Sequence, residues 1–63
     1  PHYRQSGDGK ARIARVGING SIKYEIWEKF GAGFRQYRVN LPTFEEASEI
    51  AFNELGAVFW VPT

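Results

Sequence analysis

The chain lacks cysteine altogether and contains a single histidine, His2. These absences exclude a disulfide framework and a zinc site built from cysteine or histidine ligands. No apolar run approaches the roughly 18 residues that a membrane-spanning helix requires. Because 8 Lys and Arg nearly balance 7 Asp and Glu, the chain also lacks the overall basicity that is typical of nucleic-acid-binding domains. At 63 residues, the domain is too small for a deep substrate cavity.

What the sequence does contain divides into two parts. Residues 1–10 are polar and rich in turn formers, which predicts a flexible N-terminal lead. Residues 7–10 (GDGK) have neither the preceding strand nor the spacing of a phosphate-binding loop. Residues 11–63 form a single small domain whose core depends on aromatic side chains, which make up 16% of the chain.

Three strand-like segments follow one another in the first half of this domain. They are RIARVGI at 12–18, SIKYEIWEKF at 21–30 and FRQYRVNL at 34–41, and glycine-containing turns separate them. In the second hairpin, one register gathers the apolar side chains on one face and the mostly polar side chains on the other. It sets Ile26 opposite Tyr37, Tyr24 opposite Val39, Ile22 opposite Leu41, Glu25 opposite Arg38, Trp27 opposite Gln36 and Lys23 opposite Asn40.

The first hairpin allows two turns around Asn19 and Gly20. A two-residue turn would bury Ile13 against Ile26 and set Arg12 beside Trp27. A three-residue loop would bury Ala14 and Val16 and turn Ile13 and Arg15 outward. We favour the longer loop because it hides more apolar surface.

A helix follows, capped by Thr43 with Glu46 three residues later, and it stops at Gly56. Its predicted apolar stripe comprises Phe44, Ala47, Ala51, Phe52 and Leu55. Residues 57–61 (AVFWV) predict a short fourth strand, or else an irregular segment that wraps the end of the helix. The fold class is therefore α+β, a three-stranded antiparallel sheet with one helix on one face and a C-terminal fourth strand, in the order β-β-β-α-β.

No residue pattern indicates an enzyme, a cofactor, a metal ion or a small-molecule substrate. The serines have no histidine in an ordered region to activate them. Glu45 and Glu49, one turn apart, are typical of a solvated helix surface. The outward sheet face carries residue types suited to duplex DNA, since Arg and Lys neutralise phosphates while Asn, Gln and Arg reach base edges. These are Lys23, Trp27, Gln36, Arg38, Asn40 and one of Arg12 or Arg15, with Lys29 and Arg35 near the hairpin tip.

Residues 12–55, with the phrase LPTFEEASEIAF after the third strand, resemble two groups of DNA-binding domains. These are the plant APETALA/ethylene-response domains and the amino-terminal arm-binding domains of phage and transposon tyrosine recombinases. The resemblance implies DNA read by a three-stranded sheet through Arg and Trp side chains. The contact residues it implies here are Arg12, Arg15, Lys23, Trp27, Arg35 and Arg38.

The leading interpretation is thus a non-enzymatic DNA-binding domain of recombinase or transcription-factor type, located in the cytoplasm, the nucleoid or the nucleus. The alternative is a small protein-binding module, such as a phage-encoded inhibitor of a host enzyme or an antitoxin-like domain. In that alternative the working surface would be a sheet edge, Trp60 and the acidic helix. Neither interpretation involves a membrane.

Overall fold

The structure, a computed structural model, describes residues 2–59, with the backbone alone at His2 and Tyr3. Four strands form one antiparallel sheet in the order of the sequence, and a helix packs on one of its faces. The elements are β1 (His2–Gln5), β2 (Ala11–Ile18), β3 (Ser21–Phe30), β4 (Gly33–Leu41) and α1 (Phe44–Leu55). The α+β class is confirmed, whereas the predicted strand count and order are wrong.

Strand β1 lies in the segment for which the sequence predicts a flexible lead. It pairs antiparallel with β2, and Arg4 stands opposite Ile13. The Arg4 guanidinium lies 5.1 Å from the centroid of the Phe44 ring. A strand this short and polar has no apolar alternation to reveal it, so its order comes from pairing and from this contact with the helix.

The turn between β1 and β2 is held by the side chain of Ser6, which is buried. Its hydroxyl donates to Oδ1 of Asp8 at 2.7 Å and accepts from the backbone N–H of Ala11 at 3.2 Å. The hydrogen bonds from Ser6 and from the backbone of Lys10 hold the pKa of Asp8 below its ordinary value. These local bonds turn a polar, glycine-rich sequence into an ordered hairpin turn.

The β2–β3 hairpin has the shorter of the two predicted turns. Ile18 pairs with Ser21, and the two residues between them, Asn19 and Gly20, have φ of 50° and 80°. Positive φ at both positions matches the twist of the flanking strands, which explains why this turn forms instead of the favoured longer loop.

The shorter turn buries Ile13 against Ile26, and their side chains are 2% and 0% exposed. The prediction that Ile13 points outward is therefore wrong. Ala14 is also buried but lies outside the core cluster, because alternation along β2 turns it to the other side of the sheet.

The β3–β4 hairpin follows the predicted register only near its tip. Trp27 pairs with Gln36 as predicted, but Ile26 pairs with Arg38 and Tyr24 with Leu41. Two register shifts on β4 each add one residue relative to β3. The prediction assumed unbroken alternation; the first shift lies between Gln36 and Arg38, and the second, between Arg38 and Leu41, contains Asn40 at a φ of 66°.

Helix α1 begins and ends as the sequence predicts. The Thr43 hydroxyl accepts from the backbone N–H of Glu46 at 3.1 Å, and Gly56 is left-handed with a φ of 70°. Ala47 and Ala51 face the core and are fully buried. Phe52, predicted in the same stripe, is 58% exposed, because it lies at the outer border of that stripe.

The core lies between α1 and the sheet. Phe44 packs edge-on against Tyr24 and Phe59, with ring centroids 6.2 and 6.3 Å apart. The buried cluster comprises Ala11, Ile13, Ile26, Leu41, Ala47, Ala51, Ala57 and Phe59. Among the described residues, no buried polar side-chain atom lacks a hydrogen-bond partner.

Residues 57–59 do not form the predicted C-terminal strand. Ala57 and Phe59 join the core, and the backbone carbonyl of Val58 accepts from the N–H of Gly7 at 3.2 Å. The fourth strand of the sheet is instead β1, which pairs with β2 at one edge. Residues 60 and 61 of the predicted strand lie outside the described residues.

The helix of the described chain is too short to cross a membrane.

Candidate nucleic-acid interface

We call the side of the sheet that points away from α1 the outer face. Successive side chains of a strand alternate between faces, so the neighbours of the buried Ile13 and Ile26 point to the outer face. The described residues assigned to it are Gln5, Arg12, Ala14, Val16, Ile18, Ser21, Lys23, Glu25, Trp27, Lys29, Phe34 and Gln36. Since Ala57 and Phe59 belong to the core on the opposite side, the described chain after the helix does not cover this face.

Trp27 stands at the middle of the outer face, and its predicted orientation away from the core is confirmed. It pairs with Arg12 of β2 and with Gln36 of β4. Its indole N–H donates to Oε1 of Glu25 at 3.3 Å. The side chain is half-buried among these neighbours, so the indole is held in place at the surface.

Phe34 is a member of this face that the sequence reasoning missed. The Arg12 guanidinium lies 4.0 Å from the centroid of its ring, a close cation–π contact. Alternation from Gln36, two residues along β4, was the signal that could have placed Phe34 on the outer face. It was overlooked because the residue adjoins the glycine-rich tip.

Arg38 does not lie on the outer face, contrary to the prediction that it pairs there with Glu25. The first register shift sets it opposite the buried Ile26, on the helix side. Both oxygens of the Glu54 carboxylate on α1 accept hydrogen bonds from its Nη2 at 3.0 Å. The Tyr37 hydroxyl also donates to Glu54, at 2.6 Å, and this bond to a carboxylate raises the pKa of Tyr37.

Arg15 and Arg35 also lie on the helix side of the sheet. Arg15 pairs with Tyr24, whose ring contacts the helix, and is exposed. Arg35 pairs with Glu28, and its Nε donates to Oε1 of that residue at 2.6 Å. Its guanidinium also stacks 4.2 Å from the centroid of the Phe30 ring. Three of the six predicted contact residues, Arg12, Lys23 and Trp27, therefore share the outer face.

The outer face and the exposed side of α1 differ in charge. The outer face combines Arg12, Lys23 and Lys29 with one carboxylate, that of Glu25. Helix α1 exposes Glu45, Glu46 and Glu49 and contains no Lys or Arg. These surfaces lie on opposite sides of the molecule, so an anion is attracted by the side chains of the outer face and repelled by those of the exposed side of α1.

Two other side chains that could take part in chemistry, those of Ser6 and Ser48, form hydrogen bonds within the fold. The hydroxyls of Ser6 and Ser48 donate to Asp8 and to the Glu45 backbone carbonyl. Residues 2–59 hold no group of acidic or histidine side chains with metal-site geometry. A depression of about 240 Å³ near the end of α1 mixes two lysines with two carboxylates. It is lined by Asp8, Lys10, Glu28, Lys29 and Leu55.

Comparison with family models, with curated proteins and with solved structures found no match for this chain.

Proposed function

We propose that this chain is a non-enzymatic DNA-binding domain, of recombinase or transcription-factor type, that docks the outer face of its sheet on duplex DNA. The observation that carries the proposal is that Arg12, Lys23 and Trp27 share one face that neither the helix nor residues 57–59 cover. A protein with this role works in the cytoplasm, the nucleoid or the nucleus.

The charge distribution supports the proposal. Duplex DNA is a dense line of phosphates, and cations on one protein surface gain affinity by releasing its counterions. Lys23, Lys29 and Arg12 present such cations over the length of β3, while the acidic side of α1 faces the opposite way. An overall charge of only +1 is compatible with DNA binding because the outer face combines three cations with a single carboxylate, while the remaining arginines and most carboxylates lie on the helix side.

The residue types on the outer face support readout as well as affinity. A β-ribbon fits the major groove, where Gln and Arg side chains form hydrogen bonds with base edges. Gln36 is exposed beside Trp27 and is suited to this contact. Glu25, which would face the phosphates, has its carboxylate partly satisfied by the Trp27 indole N–H.

Fluorescence anisotropy with a labelled random-sequence duplex, over a series of salt concentrations, tests the proposal. Lys23→Ala should weaken binding and reduce the salt slope by about one unit, the expectation for one lost phosphate contact. Arg15→Ala is the matched control, because it removes the same charge from the helix side. It should leave the slope nearly unchanged.

Two results would count against the proposal: binding of the unaltered protein that ignores salt, or equal effects of the two variants. An amide chemical-shift titration with the same duplex would map the residues that contact the DNA. Its perturbed residues should cluster around Trp27 and Lys23 and spare Glu49 on α1.

One observation favours the alternative of a protein-binding module. Glu45, Glu46 and Glu49 are exposed on α1 together with Phe52, which is 58% exposed. A basic protein surface with an apolar centre would match this combination. Trp60, which the alternative also uses, lies outside the described residues. A chain that binds no duplex at low salt would favour this module.

A further inference from the structure

Among the described side chains, the outer face carries two aromatic rings, those of Trp27 and Phe34. In fully paired DNA the faces of the bases stack on one another and are not free to stack on these rings. We infer that the DNA recognised by this domain contains at least one unpaired base, which stacks on a cluster formed by Trp27, Arg12 and Phe34. This inference rests on the proposed function, because it specifies the form of DNA that the same face prefers. We call these three residues the stacking cluster.

The geometry of the sheet brings the two rings of the stacking cluster close together. Trp27 pairs with Gln36, and Phe34 lies two residues before Gln36 on β4. The two aromatic residues are thus diagonal neighbours on adjacent strands, about 7–8 Å apart. Arg12 stands opposite Trp27 on its other side, and its guanidinium reaches to 4.0 Å from the Phe34 ring centroid.

The stacking cluster is held in place before any ligand arrives. The Glu25 carboxylate accepts the indole N–H of Trp27 at 3.3 Å, and the Arg12 guanidinium lies against the Phe34 ring. A rigid surface loses less conformational entropy on binding. Aromatic rings and guanidinium planes both stack unpaired bases, and every base has a π-face that can take part.

Cations flank the stacking cluster along β3. Lys23 lies four residues before Trp27 and Lys29 two residues after it, on the same face. At about 3.3 Å per residue, the two lysine positions are about 20 Å apart. The phosphates on both sides of a base stacked on Trp27 would therefore each have a lysine within reach.

Fully paired DNA exposes base edges in its grooves, whereas the faces of its bases stack on one another. A protein that stacks on a base must first take that base out of the helix, and this is easiest where the base is already unpaired. The stacking cluster therefore discriminates in favour of DNA with a local defect or a single-stranded segment.

The test compares three labelled ligands of one sequence at one low salt concentration. They are the fully paired duplex, the same duplex with two unpaired bases at its centre, and the single strand. We expect the second and third ligands to bind at least about fivefold more tightly than the first, the lower limit for one stacked base.

Two variants locate this preference on the protein. Phe34→Leu should remove most of the preference, measured as the ratio of the affinity for each ligand with unpaired bases to the affinity of the same variant for the paired duplex. Phe30→Leu is the matched control, since Phe30 also lies under an arginine, at 4.2 Å, but on the helix side of the sheet. It should leave the preference unchanged, and thermal unfolding checks that both variants fold.

The outcomes separate the inference from the proposed function. Equal or tighter binding of the paired duplex overturns the inference and leaves the proposed function standing. The inference is also overturned if Phe30→Leu lowers the preference as much as Phe34→Leu does. If none of the three ligands binds, the proposed function fails and the inference fails with it.

Discussion

The β2–β3 hairpin and the β3–β4 hairpin share a strand, yet they differ in regularity. In the first, a two-residue turn is followed by an unbroken register from Ile18 opposite Ser21 to Ala11 opposite Glu28. In the second, two register shifts separate the tip from the end near the helix. The comparison shows that alternation assigns side chains to faces reliably only where the ladder is continuous.

The consequence for the candidate interface is direct. Arg12, on the regular side, lies where the shorter turn places it. Arg38, on the irregular side, moves from the outer face to the helix side and to Glu54. One extra residue in β4 therefore places Arg38 beside a carboxylate of the same chain, on the face opposite to the one predicted to contact DNA phosphates.

The largest expected effect comes from the buried position that the two hairpins share. Ile26→Ala should lower the free energy of unfolding by about 2–5 kcal/mol, because Ile26 is fully buried against Ile13. A domain of this size has little more stability than that to lose. Urea unfolding followed by circular dichroism measures the loss.

Ile22→Ala is the control for this experiment, since Ile22 lies on the same strand but is 44% exposed. A loss under about 1 kcal/mol is expected there. Equal losses at the two positions would mean that the core does not lie between α1 and the sheet as described.

A smaller effect distinguishes the turns of the two hairpins. Gly20→Ala should cost about 1 kcal/mol, because Gly20 has a φ of 80° that alanine adopts only with strain, although no atom lies within 4 Å of the added Cβ. Gly33→Ala in the other turn meets no atom within 4 Å and needs no positive φ, so it should be nearly neutral. Thermal unfolding resolves the difference, at about 4–8 °C per kcal/mol for a domain of this size.

If Gly33→Ala proved as damaging as Gly20→Ala, the loss could not come from backbone strain at one turn. The assignment of the two-residue turn at Asn19 and Gly20 would then need another explanation.

The smallest expected effect tests the irregular hairpin. Arg38→Ala should reduce stability by no more than about 1 kcal/mol, because the Arg38 and Glu54 side chains are 48% and 35% exposed and water screens their attraction. DNA affinity should change far less than in Lys23→Ala, measured by the same anisotropy titration. A drop in affinity as large as that of Lys23→Ala would place Arg38 at the interface and contradict the assignment of faces.

The parts of the fold that local chemistry determines could be predicted from the sequence. The Thr43 hydroxyl and Gly56 mark the two ends of the helix, and the orientation of Trp27 follows from the apolar partners on either side of it. The two-residue turn at Asn19 and Gly20 could also have been predicted from the sequence. The error there came from weighing buried apolar area above the positive φ that an Asn-Gly pair supplies.

The remaining features depend on interactions between distant residues. Strand β1 is ordered by its pairing with β2, by the contact of Arg4 with Phe44 and by the Ser6 turn, none of which leaves an apolar pattern in the sequence. The bulges in β4 are equally hidden, because an extra residue does not change the composition of a strand. Of the predicted contact residues, Arg38 changed face for this reason, whereas Arg15 follows the two-residue turn and Arg35 lies in the part of the register before the first shift.

The irregular strand has a further consequence for the behaviour of this protein in concentrated solution. Among the described strands, β4 is the last in the sheet, and the side of it that pairs with no described strand would offer a row of backbone donors and acceptors to a neighbouring molecule. The two bulges, the left-handed Asn40 and the following Pro42 interrupt that row. Such interruptions protect proteins from edge-to-edge aggregation, so straightening β4 would remove a safeguard against templated self-assembly.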